Sequence, residues 1–223
     1  RIVGRANPEI IFHLAAQPIV GDARTEPLQT MESNVRGTYA VLEAARKWGG
    51  LRAIVVASSD KVYGEAECLP YAEDECLGGL DVYDASKVCT DVLARAYARS
   101  FGLPIGVARS GNFYGPGDAQ WSRIVPGTIR ALAAGRRPVI RSDGSPTRDY
   151  LYVGDAAEAF LVLGLALDRP DVRGECFNFG TGTETSVLDV ARTLVGISGT
   201  LVEPLVLATA RGEIQAQRLD CKK

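Results

Sequence analysis

Two short stretches carry side chains that can move protons. "SSDK" closes an apolar run with Ser58, Ser59, Asp60 and Lys61, and "YDASK" runs from Tyr83 to Lys87. If a helix begins near Tyr83, that tyrosine and Lys87 share one face. An ammonium beside a phenol stabilises the phenolate and draws its pKa down from about 10. Such a phenol can take the proton of a hydroxyl while hydride leaves the same carbon. Ser59, at a strand end upstream, can hydrogen-bond the same oxygen. Asp60 and Lys61 add an adjacent acid and base. A lysine base needs its pKa lowered by burial or by nearby positive charge, and an aspartic acid donor needs its pKa raised. An ion pair between the two opposes both shifts. The plainer alternatives are a charged turn that orients Ser59 and a surface Tyr–Lys pair.

The elements around these residues define the fold class. Unalternated apolar runs recur at Ile10–Ala16, Ala53–Ser59 and Pro104–Ser110. Runs of that kind suit parallel strands covered on both faces. From Pro27, residues Leu28, Met31, Val35, Leu42 and Ala45 keep helical spacing until Trp48–Gly50. From Asp84 an apolar stripe runs through Val88, Val92 and Ala96 until Gly102 and Pro104 end it. Alternating strands and helices predict an α/β fold, a doubly wound parallel sheet, with ligands at the carboxyl ends of the strands. After Gly111 the spacing predicts a helix past Pro126 and short strands at Pro138, Arg148 and Cys176. Asp155 with Glu158 predicts a capping box for a helix through Leu167, and Ser186 with Asp189 predicts a second. The expected division is residues 1–111, bearing the catalytic groups, and a smaller α/β domain over 112–223 for substrate. Residues 148–167 are expected to return to the first. "EDE" at Glu73 reads as a solvated loop.

The net charge of −2 argues against nucleic acid as the main partner. No apolar stretch approaches the ~20 residues of a membrane span, and the opening "RIVGRANPEI" lacks the features of a signal peptide. Five cysteines without metal or CxxC spacing read as structural thiols of a reducing, cytoplasmic setting. No metal site is expected. The lone His13 reads as a hydrogen-bonding residue of the strand-end layer.

Ser59 with Tyr-x-x-x-Lys resembles the extended short-chain dehydrogenase/reductase superfamily, whose cofactor is NAD. The resemblance covers most of the chain. "FHLAAQ" from Phe12 is similar to the segment beside the cofactor ribose, which implies cofactor contacts for Leu14, Ala15, Ala16, Ser58, Tyr83 and Lys87. "NVRGTYAVLEAAR" from Asn34 is similar to the next helix, with Asn34 fixing backbone near the site. "RSGNFYGPGD" from Arg109 and the stretch from Arg123 to Val153 resemble nucleotide-sugar segments. They imply substrate contacts for Gln17, Asn112, Arg123, Arg148 and Arg211, with Trp121 and Arg141 beside the base. Asp-Lys at positions 60 and 61 resembles CDP-glucose 4,6-dehydratase. The implied catalytic set is Ser59, Asp60, Lys61, Tyr83 and Lys87. Tyr83 deprotonates the sugar 4-hydroxyl during oxidation at C4, Lys61 helps at C5, and Asp60 protonates the departing 6-hydroxyl. A 4-epimerase needs only Ser59, Tyr83 and Lys87, and a UDP-glucuronate decarboxylase shares the same core. The resemblance also implies a homodimer through the helices after Pro27 and Asp84.

The superfamily opens with a strand and a Gly-x-x-Gly-x-x-Gly turn that holds the NAD pyrophosphate. That turn and the acidic residue for the adenosine ribose do not occur in the 223 residues. The expectation is therefore a fragment of a larger enzyme, binding NAD weakly or not at all by itself and catalytically incompetent alone.

Overall fold

The computed structural model describes residues 2–65, 68–210 and 212–223. Four parallel strands form the central sheet: β1 (Ile10–His13), β2 (Ala53–Ala57), β3 (Ile105–Ser110) and β8 (Cys176–Phe179), in that order. Ile54 lies opposite Ile105, and Val107 opposite Cys176. Side chains alternate across each strand, so β2 feeds two cores. Ile54 and Val56 meet Leu42 and Ala45 of α4 (Gly37–Trp48) and Ala94 and Ala98 of α5 (Val82–Phe101). Ala53 and Val55 meet Phe160 and Leu163 of α7 (Val153–Ala166) on the other face. β2 and β3 are covered on both faces, which is why their runs are apolar without alternation, whereas Phe12 of the edge strand β1 is exposed. Burying each such side chain contributes about 1.5–3 kcal/mol.

Gly102, at φ 67°, ends α5 in the left-handed conformation that only glycine adopts cheaply. The helix expected from Pro27 is divided: α3 (Pro27–Met31), one wide π turn (Glu32–Arg36), then α4. The chain before them contributes α1 (Ile2–Ala6) and α2 (Val20–Thr25).

Residues after Gly111 build a smaller layer. β4 (Asn112–Tyr114) pairs with β7 (Tyr150–Tyr152), β5 (Val139–Ile140) with β10 (Leu205–Val206), and β6 (Thr147–Arg148) with β9 (Thr185–Ser186). Helix α6 (Ile124–Ala133) packs on α8 (Val187–Ile197). β8 leaves this half and completes the main sheet, and α7 packs on that sheet's face. Two expectations are corrected. Tyr152, not Asp155, stands at the N-cap of α7, and Asp155 lies in the first turn, so no capping box forms there. Glu73 is not simply solvated: its carboxylate accepts from the backbone N–H of Asn178 at 2.8 Å. Ser186 does cap α8, accepting from Asp189 N–H at 3.0 Å. The five cysteines are free thiols and only Cys176 is buried, so four lie at the surface rather than in the packing. Among the described residues no helix is long and apolar enough to cross a membrane.

Candidate active site

A cleft of about 970 Å³ lies between the carboxyl ends of the strands and the smaller layer. Its floor is the junction after β2. Ser59 ends the extended chain and caps a 3-10 turn, Asp60–Tyr63, by accepting from Lys61 N–H at 3.2 Å. The Ser59 hydroxyl donates to Asp60 Oδ1 at 3.0 Å. Asp60 Oδ2 and Lys61 Nζ are buried and have no hydrogen-bond partner, and no ion pair joins them. The competing salt bridge that would spoil an acid–base pair is therefore absent among the described residues. Burial lowers the pKa of Lys61, with Arg148 adding to the effect and Asp60, Asp84 and Glu213 opposing it.

The turn is held from behind by glycine. A Cβ on Gly79 would stand 2.5 Å from the Lys61 carbonyl oxygen and 2.8 Å from Asp84 Cβ. Only a residue without a side chain lets the segment before α5 lie against both.

Helix α5 brings Tyr83 and Lys87 into the same cleft. Lys87 Nζ donates to the carbonyl of Ala57, at the end of β2, at 2.6 Å. Burial lowers the Lys87 pKa to about 8. Tyr83 departs from expectation: burial pushes its phenol up to about 12, and a hydrogen bond with Ser59 only partly opposes this. Lys87 is engaged with the strand carbonyl and is not what acts on the phenol in this arrangement. The geometry brings the pair together without the expected acidification.

Asn34 ties this helix to the end of β1. Its Oδ1 accepts from Gln17 N–H at 2.7 Å, and its Nδ2 donates to Gln17 O at 3.0 Å and to Ser86 Oγ at 2.8 Å. The wide turn frees the Asn34 carbonyl, which accepts instead from the hydroxyls of Thr38 and Thr90. His13 hydrogen-bonds Thr38 at 3.0 Å, and burial with Lys87 nearby lowers its pKa, which favours the neutral ring.

Leu14, Ala16 and Ser58 line the cleft beside Tyr83 and Lys87. Ala15 and Gln17 do not line it, and Gln17 is instead clamped by Asn34. Asn112, Arg123 and Arg148 line the opposite wall. Asn112 Nδ2 is buried without a partner. Arg123 pairs with Asp118 at 3.2 Å, and Arg148 donates to the neighbouring carbonyl of Thr147 at 2.7 Å. Trp121 and Arg141 also face the cleft. Arg211 lies outside the described residues.

Two groups near the centre had no signal in the motifs. Asp84 is buried with Oδ1 unpartnered, and burial raises its pKa to about 6. Tyr63, at the end of the acid–base turn, bonds Arg109 and Asn178 inside the core. Neither shows before the chain is folded: the Tyr63 partners are distant in sequence, and the burial of Asp84 is a property of the fold.

The family model of NAD dependent epimerases and dehydratases matches residues 1–180. The chain belongs to this NAD dependent epimerase/dehydratase family. Within it, the chain is 34% identical to the UDP-glucose 4-epimerase of Mycolicibacterium smegmatis, over 98% of the chain and 69% of that protein. It is 32% identical to the CDP-glucose 4,6-dehydratase of Salmonella typhimurium, over 82% of the chain. The chain spans about half of that dehydratase, 54% of its length. The solved UDP-glucose 4-epimerase of Thermotoga maritima, with UDP-glucose, superposes with a TM-score of 0.88 at 31% identity, covering 99% of the chain and 72% of the epimerase. The family's cofactor is NAD, and the cleft has donors suited to its ribose hydroxyls. Ser58 Oγ is buried without a partner, and the Lys87 ammonium has N–H groups beyond the one given to Ala57.

Proposed function

We propose that this chain carries the catalytic centre of a nucleotide-sugar 4,6-dehydratase with CDP-glucose-like specificity. The observation that carries the reading is the unpaired, buried Asp60–Lys61 set beside Ser59 and Tyr83 in one cleft. Ser58 and Lys87, with Leu14 and Ala16, hold NAD, which when bound supplies a reversible two-electron acceptor. Burial holds the Tyr83 phenol protonated, so a neighbouring positive charge, which bound NAD would supply, is needed to draw its pKa down. Tyr83 then takes the proton of the sugar 4-hydroxyl, with Ser59 bonding the same oxygen. The 4-ketone acidifies C5–H, and Lys61, its pKa lowered by burial, takes that proton. The C5–H electron pair forms a C5=C6 bond as the C6–O bond breaks, and a proton from Asp60 lets the 6-hydroxyl leave as water. Reduction at C6, with Lys61 returning its proton to C5, saturates that bond and cancels the oxidation at C4. Passage of the Tyr83 proton to Asp60 resets both groups, so the net change is loss of water. Arg148, Arg123 and Asn112 face the diphosphate and sugar, and a guanidinium fork matches phosphate oxygens in two-point fashion. Tyr39, Val92 and Phe101 stand exposed on α4 and α5, the face proposed for a homodimer.

The 4-epimerase reading rests on the epimerase relative above, and requires Ser59, Tyr83 and Lys87 alone. The full-length protein with NAD and a panel of CDP-, UDP-, dTDP- and GDP-sugars separates the two. A 4-keto-6-deoxy product, absorbing after alkali, supports dehydration, and a C4 epimer refutes it. Tyr83→Phe is expected to abolish turnover while nucleotide-sugar affinity stays within about twofold. A loss of binding equal to the loss of rate counts against a catalytic Tyr83.

A further inference from the structure

We propose that Tyr63 and Arg109 are positioning residues that set the Asp60–Lys61 turn against the helix bearing Tyr83 and Lys87. The proposal rests on the dehydratase reading for its catalytic consequence, and on packing alone for its structural part.

The 3-10 turn puts Asp60 and Tyr63 three residues apart, one above the other. Asp60 lines the cleft, while Tyr63 is buried behind it. The Tyr63 hydroxyl donates to Asn178 Oδ1 of β8 at 2.6 Å and accepts from Arg109 Nη1 of β3 at 3.0 Å. The Arg109 guanidinium also sits over the Tyr63 ring, 5.1 Å from its centroid. Tyr71 stacks on that ring at 4.8 Å.

Arg109 is fully buried and grips Asp91 with two parallel bonds, Nε to Oδ2 at 2.8 Å and Nη2 to Oδ1 at 3.1 Å. Its Nη1 also donates to the Glu73 carbonyl at 2.9 Å. Asp91 lies on α5 four residues after Lys87, within the same helical stripe. A continuous path of short bonds thus runs from the acid–base turn through Tyr63, Arg109 and Asp91 to the helix of Tyr83 and Lys87. Burial raises the Tyr63 pKa well above the usual phenol value, so the hydroxyl keeps its proton and has no acid–base duty of its own. What it can do is fix geometry. Displacing a catalytic group by about 1 Å costs on the order of a hundredfold in rate.

The test is Tyr63→Phe in the full-length protein with NAD. It keeps the ring and removes only the hydroxyl. Two quantities are read: the rate of the C5–C6 elimination against that of C4 oxidation, and acetylation of Lys61 relative to exposed Lys47 by acetic anhydride. Elimination is expected to fall about tenfold to a hundredfold with C4 oxidation and KM within about twofold. Lys61 acetylation is expected to rise severalfold. Asp91→Asn, at the other end of the path, is expected to raise Lys61 acetylation as well. Leu163→Ala, in the core under the opposite face, should lower the melting temperature without raising Lys61 acetylation. Unchanged acetylation in Tyr63→Phe overturns the proposal whatever reaction the wild type catalyses. Raised acetylation with undiminished elimination, or equal losses of oxidation and elimination, overturns it too. A wild type that eliminates no water, with acetylation raised in the variant, refutes the dehydratase reading and leaves the positioning intact.

Discussion

Asp84→Asn should make the protein more stable at neutral pH and leave it almost unchanged in acid. Asp84 is buried, and burial raises its carboxyl pKa from 3.8 to about 6, with Lys61 opposing and Asp81 and Asp60 reinforcing the shift. A carboxyl raised in the folded state favours folding when protonated, so the wild type loses stability as pH climbs from the unfolded value through the folded one. The interval is roughly two tenfold steps at about 1.4 kcal/mol each, or about 3 kcal/mol in all. One effect subtracts from it. Asp84 lies in the first turn of α5, where the helix dipole favours a carboxylate by about 0.3–1 kcal/mol. Burial wins, leaving about 2 kcal/mol. Asparagine keeps the shape and removes the charge. Urea unfolding at several pH values reads the difference through the midpoint at constant slope. The variant's advantage should be near zero below pH 3.8, grow between that value and pH 6, and stay flat above. An advantage that does not depend on pH, or a variant less stable than wild type at pH 7.5, refutes the argument.

Gly79→Ala should shift the Lys61 carbonyl, because a Cβ would sit 2.5 Å from it. A loss of about 1–3 kcal/mol is expected, with Lys61 acetylation rising, and thermal melting with peptide mapping checks both. Ser186→Ala removes the hydroxyl that caps α8 at 3.0 Å. It should cost about 1 kcal/mol in chemical denaturation and leave turnover within about twofold.

The sheet was legible because burial on both faces forces the continuous apolar runs that begin at Ala53 and Pro104; the run at Ile10 marks a strand too, although it lies at the sheet edge with Phe12 exposed. The end of α5 was legible because Gly102 is the natural left-handed cap. What the sequence hid depends on distance in the chain. The wide turn at Asn34 makes sense only beside Gln17, Ser86 and Thr90, which fold onto it from elsewhere. The Asp155 cap failed because β7 carries the chain straight into α7, leaving Tyr152 at the cap. Proximity of Tyr83 and Lys87 followed from spacing, but their electrostatics did not. Spacing carries no information about burial, and burial dominates the Tyr83 phenol. The lowered Lys61 pKa is likewise a matter of burial, to which Arg148, far along the chain, adds.

The contact between Gly79 and the Lys61 carbonyl separates two kinds of inheritance. The backbone of the turn is committed, since any side chain at residue 79 collides with it. The side chains of Asp60 and Lys61 are constrained differently: they reach the cleft yet are buried, so a replacement must refill enclosed space but need not move the turn. Under the dehydratase proposal, a change of reaction type at these two adjacent positions keeps the backbone of the turn and alters only what fills the space before it.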